Sequence, residues 1–146
     1  MAVIGSVYFI VFMIITTLSL ITIDQRGKKY TDLSLFISFV ILVLLAGLRE
    51  GSPDQQSYAL AFQNTQSLFS RFVYGAKEQL FDMDVGFIVL LSVIKTVTAN
   101  DTLMFIMLAG IIIGPVVYAS KRLSPYPLLS ILMYFCWFYY SNLGAL

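Results

Sequence analysis

Val3–Ile23 reads VIGSVYFIVFMIITTLSLITI, a stretch without a charged residue. A helix needs about 20 mainly apolar residues to cross the hydrocarbon core of a bilayer, where every backbone polar group must be bonded inside the segment. The stretch meets that length. No basic region precedes it and no small-residue cleavage site follows it, so it is expected to be a retained first span and not a signal peptide.

The rest of the 146-residue chain keeps the same character, with 59% hydrophobic and 12% charged residues. Soluble domains carry about 25% charged residues, so the composition indicates an integral membrane protein. Leu33–Leu48, between Asp32 and Arg49, is short for a span and crosses if Arg49 snorkels or the helix gains a turn. Three further apolar segments follow at Val85–Ile94, Thr102–Ala119 and about Tyr126–Leu146, the last rich in Tyr and Trp as interfacial segments often are. The expected fold is all-α: a polytopic helical membrane protein with four to five hydrophobic helices, an outward amphipathic loop helix, and one transmembrane domain over 1–146.

Arg26, Lys28 and Lys29 lie in the short loop Asp24–Asp32, which the positive-inside rule places in the cytoplasm. The amino terminus and the loop that opens at Arg49 are then outside. If all five segments cross, Lys121 and Arg122 fall outside, against the rule; if the third only dips in and returns, they fall inside. Lys95 interrupts that third segment early, which suits a re-entrant or interfacial placement.

The net charge of +1 and the absence of a polybasic surface set nucleic acid aside as a partner. Cys136 is the single cysteine, so neither a disulfide framework nor a cysteine metal cluster is available, and in its apolar run it is expected to pack as a small apolar side chain. There is no histidine, which removes the commonest general base and every Ser-His or Cys-His pair. Chemistry then falls to carboxylates, arginine, lysine, tyrosine or the substrate, with no cofactor expected. Gly110 and Gly114, followed by Pro115, fit a small-xxx-small helix contact or a kink, and Asn100-Asp101-Thr102 fits the cap of the fourth apolar helix.

The loop after the second run opens Gly47-Leu48-Arg49-Glu50-Gly51-Ser52-Pro53-Asp54-Gln55-Gln56-Ser57-Tyr58. Ser52 suits an N-cap, Pro53 the first helical position and Gln55 the capping-box partner, with Asp54 complementing the helix dipole. The helix that follows would carry Tyr58, Phe62, Thr65, Phe69 and Phe72 on one face, lying on the outer membrane surface or against the spans. Taken alone, Arg49 is a snorkelling anchor or a guanidinium suited to phosphate, and Asp54 a helix-start residue or a catalytic acid. Asp82 and Asp84 precede the third apolar segment; two carboxylates fall short of a divalent-ion shell, so no metal is expected, with Asp84 placed as a helix N-cap and Asp82 solvated.

These segments resemble the EpsG/Wzy-type polysaccharide polymerases of bacterial membranes. The likeness is carried by Gly47-Leu48-Arg49 at the end of the second span, by Asp54 with Tyr58 four residues later and Phe62 beyond, and by Asp84-Val85-Gly86-Phe87. The family usually has Glu where this chain has Asp84. A looser likeness is the basic pair in Lys121-Arg122-Leu123-Ser124, leading through Leu128-Leu129-Ser130 into an aromatic-rich span. Family members are longer and carry an Arg-Gln pair soon after that span, so the resemblance implies that this chain is the amino-terminal part of a longer polytopic protein.

The resemblance implies a glycosyltransferase-type polymerase of the bacterial cytoplasmic membrane. It would join polyprenyl-pyrophosphate-linked oligosaccharide repeat units into exopolysaccharide or O-antigen at the outer face, in contact with the lipid bilayer and other polysaccharide-assembly proteins. Arg49 and Tyr58 become the substrate-binding candidates and Asp54 and Asp84 the catalytic ones. The rival is a non-enzymatic assembly or transport subunit, in which the same charges only anchor spans and cap helices and Gly110 and Gly114 pack on partners.

Overall fold

The computed structural model describes residues 2–23, 30–48, 53–67 and 84–143, with side chains at 7–22, 30–48, 55–67 and 84–137. Within them every regular element is a helix: α1 (Ala2–Ile23), α2 (Thr31–Gly47), α3 (Pro53–Asn64), α4 (Val85–Val97), α5 (Asp101–Leu123) and α6 (Pro127–Leu143). The five apolar stretches become α1, α2, α4, α5 and α6, and the polar loop supplies α3. Among the described residues α5, with 23 residues, is long and apolar enough to cross a membrane, and Val7–Thr22, Thr31–Gly47, Val85–Val97 and Pro127–Trp137 are shorter apolar helices. At 1.5 Å per residue the 13 residues of α4 reach about 20 Å, well short of a hydrocarbon core of about 30 Å.

The outward faces of these helices are apolar. Phe9 and Leu20 are each 64% exposed and Trp137 82% exposed, a surface that water would penalise and lipid does not. Hydroxyls within α1 turn back on their own helix: Thr17 donates to the Met13 carbonyl at 2.8 Å and Ser19 to that of Ile15 at 2.8 Å. The protein is a helical membrane protein.

The chain divides into two compact units, one of Met1–Leu42 with Ile112–Leu146 and one of Val43–Ile111. In the first, α1 packs on α6. Their buried positions recur every three or four residues, as one face of a helix requires: Tyr8, Val11, Ile15 and Ser19 on α1, and Leu128, Ile131 and Phe135 on α6. The ends of α1 and α5 and the starts of α2 and α6 converge on a cavity of about 370 Å³ lined by residues including Ser19, Thr22, Asp32, Lys121, Ser124 and Leu128. There the Lys121 Nζ lies 2.8 Å from the Asp32 Oδ1. Both partners are largely exposed, so the pair adds little energy. Its geometric meaning is larger, because it shows that α2 leaves this end and α5 comes back to it.

In the second unit, Ala61 and Phe62 of α3, Leu91 and Ile94 of α4, and Met104 and Leu108 of α5 form one buried cluster. The sequence-based helix start holds here, since α3 begins at Pro53; Ser52 lies outside the described residues. The expected aromatic face is cut short. The helix ends at Asn64, Phe69 and Phe72 lie outside the described residues, and Phe62 is fully buried against α4 and α5. Of the two placements expected for this helix, packing against neighbouring helices describes Phe62.

Asn100 caps α5 as expected, its Oδ1 accepting the N–H groups of Thr102 at 2.8 Å and Leu103 at 3.3 Å. Pro115 sits inside α5 without ending it. A Cβ at Gly114 would meet the Phe39 ring at 4.0 Å, whereas one at Gly110 would meet nothing within 4 Å. Cys136 is exposed on α6, which corrects its expected place as a packed residue; an apolar helix in lipid can turn a small apolar side chain outward at little cost.

Candidate functional site

Among the described residues, the second unit carries the two charged motifs on the end of α2, on α3, and on α4 with its N-cap Asp84. Arg49 lies outside the described residues. Helix α2 stops at Gly47, and the N–H of Leu48 still donates to the Leu44 carbonyl at 2.9 Å. Asp54 is the second residue of α3; its backbone is helical and its side chain lies outside the described ones. Tyr58 follows one turn later, 38% exposed.

Tyr58 meets the second motif directly. Its ring packs against that of Phe87 with centroids 5.3 Å apart and planes inclined at 57°, a tilted arrangement that suits the charge distribution of aromatic faces and edges. Further along α3, the carbonyls of Phe62 and Gln63 accept hydrogen bonds from the Nζ of Lys95, near the end of α4, at 2.6 Å and 2.8 Å. Tyr58, midway along α3, thus meets the first turn of α4, and the last turn of α3 meets Lys95 near the end of α4, so the two helices run in the same sense. Asp54 belongs to the first turn of α3, and Asp84 precedes the first turn of α4.

Asp84 is the N-cap residue of α4, as the sequence suggests, and its backbone carbonyl accepts the N–H groups of Phe87 at 2.9 Å and Ile88 at 3.1 Å. Its side chain, however, makes no capping hydrogen bond. The residue is exposed, so the carboxylate stands at the helix start without the backbone N–H partners a capping aspartate normally takes. A carboxylate in that position can accept a proton or a hydrogen bond from a bound hydroxyl. Asp82 lies outside the described residues. Among the described residues no group of three or more His, Cys, Asp and Glu side chains could hold a metal ion.

Two contributors escaped sequence reasoning. Gly47, the first residue of Gly-Leu-Arg, sits where a Cβ would come within 2.7 Å of the Cα and Cγ1 of Ile106, so α2 and α5 touch backbone to backbone just before Arg49. Lys95 looked like an interruption of the third apolar segment, yet it lies inside α4 and spends its charge on the end of α3. A glycine beside a functional motif and a lysine in an apolar run were the available signals. Neither says which residue it meets.

The rest of the loose third likeness is also ordered. Ser124 accepts the N–H of Tyr126 at 3.1 Å and the hydroxyl of Ser130 at 2.8 Å, so the two Leu-Ser steps are joined across the start of α6. No curated protein and no solved structure matches the chain. A family model does, that of the EpsG family, over residues 32–144. The match runs from the first turn of α2 to beyond the end of α6, and so takes in every residue singled out above.

Proposed function

The chain belongs to the EpsG family, and from that membership we propose that it is a membrane polymerase of glycosyltransferase type. It joins polyprenyl-pyrophosphate-linked oligosaccharide units into exopolysaccharide or O-antigen at the outer face of the bacterial cytoplasmic membrane. In the reaction, the bond between the sugar's anomeric carbon and the pyrophosphate oxygen breaks. A hydroxyl of the acceptor unit forms the new glycosidic bond, and its proton passes to a carboxylate. Such a step asks for a cation at the departing pyrophosphate and a base at the acceptor.

Arg49 fills the first role, since its planar fork of donors matches phosphate oxygens. Asp54, or else Asp84, fills the second, and the Tyr58 hydroxyl contributes a hydrogen bond to the sugar. The observation that carries the proposal is the contact between Tyr58 and Phe87, which joins a residue of the first motif to a residue of the second. The Asp84 side chain, without a capping bond, supports it.

The protein passes the membrane several times, with the basic residues of 24–29, Lys121 and Arg122 in the cytoplasm. With both basic sites in the cytoplasm and α4 too short to cross, the loop between α2 and α5 is assigned to the outer side, with α4 dipping in and returning. That arrangement obeys the positive-inside rule at both basic sites and suits the length of α4.

The test is electrophoresis of the polysaccharide made by cells that carry single replacements. Asp84→Asn, Asp54→Asn and Arg49→Lys should each remove long chains at normal membrane abundance, the last because lysine keeps the charge and loses the two-point contact. Near-normal chain length in Arg49→Lys would remove Arg49 from the phosphate role, and near-normal length in all three would refute the proposal.

A further inference from the structure

Lys95 is an ionisable residue in a helix that is otherwise uncharged from Val85 to Val97. Such a residue is costly in or beside a membrane unless it is paired. Here the partners are specific. Its Nζ donates to the carbonyls of Phe62 at 2.6 Å and Gln63 at 2.8 Å, and lies 4.8 Å from the centre of the Phe62 ring. Those carbonyls belong to the last turn of α3, where four backbone acceptors have no partner within the helix and the dipole is negative. The ring is fully buried in the cluster shared by α3, α4 and α5.

Two more bonds secure the same end of α3. Ser92, one turn before Lys95 on α4, donates to the Gln66 carbonyl at 2.8 Å, and the Gln63 side chain donates to the Asp101 carboxylate at the start of α5 at 2.7 Å. The middle of α3 meets the first turn of α4 through Tyr58 and Phe87. These polar bonds at the late end of α3 add direction-specific contacts to the apolar packing of Phe62 in the shared cluster.

We propose that Lys95 is a positioning residue of the polymerase site: by holding the Phe62 and Gln63 carbonyls it fixes α3 on α4, and so sets Tyr58 on Phe87. The assignment of a role in polymerisation rests on the function proposed above; the fixing of α3 does not. Lysine suits the task because its three donors serve two carbonyls while the charge lies beside an aromatic face.

The test separates the two claims. With Cys136→Ser as background, Tyr58→Cys and Phe87→Cys are combined and cross-linked in native membranes with a short bifunctional thiosulfonate. Adding Lys95→Met should slow cross-linking about tenfold, the size expected for losing a charge-assisted hydrogen bond, and Lys95→Arg should restore it. In protein that keeps Tyr58 and Phe87, Lys95→Met should shorten the polysaccharide and Lys95→Arg should return its length. Unchanged cross-linking in Lys95→Met overturns the fixing role. Slower cross-linking with full-length polysaccharide leaves Lys95 holding α3 but overturns its part in polymerisation. If Lys95→Met does not reach the membrane, Lys95→Gln, a neutral donor, takes its place, with unchanged cross-linking again the overturning result. Asp84→Asn, Asp54→Asn and Arg49→Lys, measured in parallel, show whether the polymerase proposal itself stands, which near-normal chain length in all three would refute.

Discussion

At Gly47 the tertiary structure leaves room for a hydrogen and nothing larger. A Cβ would lie 2.7 Å from both Cα and Cγ1 of Ile106. The Cα is backbone, so a new methyl group would have to push two helices apart. Gly47→Ala should lower stability by about 1–3 kcal/mol, the range for overpacking, read as a fall in the thermal midpoint of the detergent-solubilised protein. Gly110→Ala is the control. Nothing lies within 4 Å of its Cβ position, and removing a helix-interior glycine should leave stability equal or raise it by about 0.5–1 kcal/mol. An equal fall in both variants would mean that helix crossing is not what Gly47 serves. Asp84 gives the opposite contrast: Asp84→Asn, proposed above to remove long chains, should change stability by no more than about 0.5 kcal/mol, because the side chain makes no capping bond to lose.

At the scale of the element, starts of helices were more legible than ends. Pro53 and Asn100 announce α3 and α5 through local chemistry, a fixed φ in the first case and a side-chain acceptor for two backbone N–H groups in the second. Asn100→Ala should therefore cost about 1 kcal/mol, measured as a lower thermal midpoint, and Asn100→Asp should recover most of it. The end of α3 was not legible. Its aromatic spacing runs on through Phe72, but the helix stops at Asn64. The Thr65 hydroxyl turns back to the Ala61 carbonyl at 2.7 Å, and Lys95, more than thirty residues away in the chain, takes the next two carbonyls. A stop signal supplied by a distant lysine leaves no mark in the local pattern.

At the scale of the molecule, hydropathy gave five apolar helices and left their crossings open. The pair between Lys121 and Asp32 bears on that question because it brings the end of α5 to the start of α2. The proposed topology agrees with that pairing and can be tested by labelling. In a Cys136→Ser background, single cysteines at Gln56 and Ala99, both exposed, should react with a membrane-impermeant maleimide on intact cells. Cysteines at Tyr30 and Tyr126, also exposed, should react only after permeabilisation. Labelling of positions 56 and 99 from opposite sides would mean that α4 crosses the membrane and would discard the re-entrant arrangement.

The sequence by itself determined the class of protein and the places of its helices, because apolar length, charge sorting and caps act within one segment or one turn. It also supplied the motifs that carry the family resemblance. What only the tertiary structure decided is which motif residues meet: Tyr58 against Phe87, Gly47 against Ile106, and Lys95 on the last carbonyls of α3. Each of these contacts joins residues far apart in the chain. Their partners are selected by how helices cross and by which buried polar groups still lack a bond, and both become fixed only when the helices have packed.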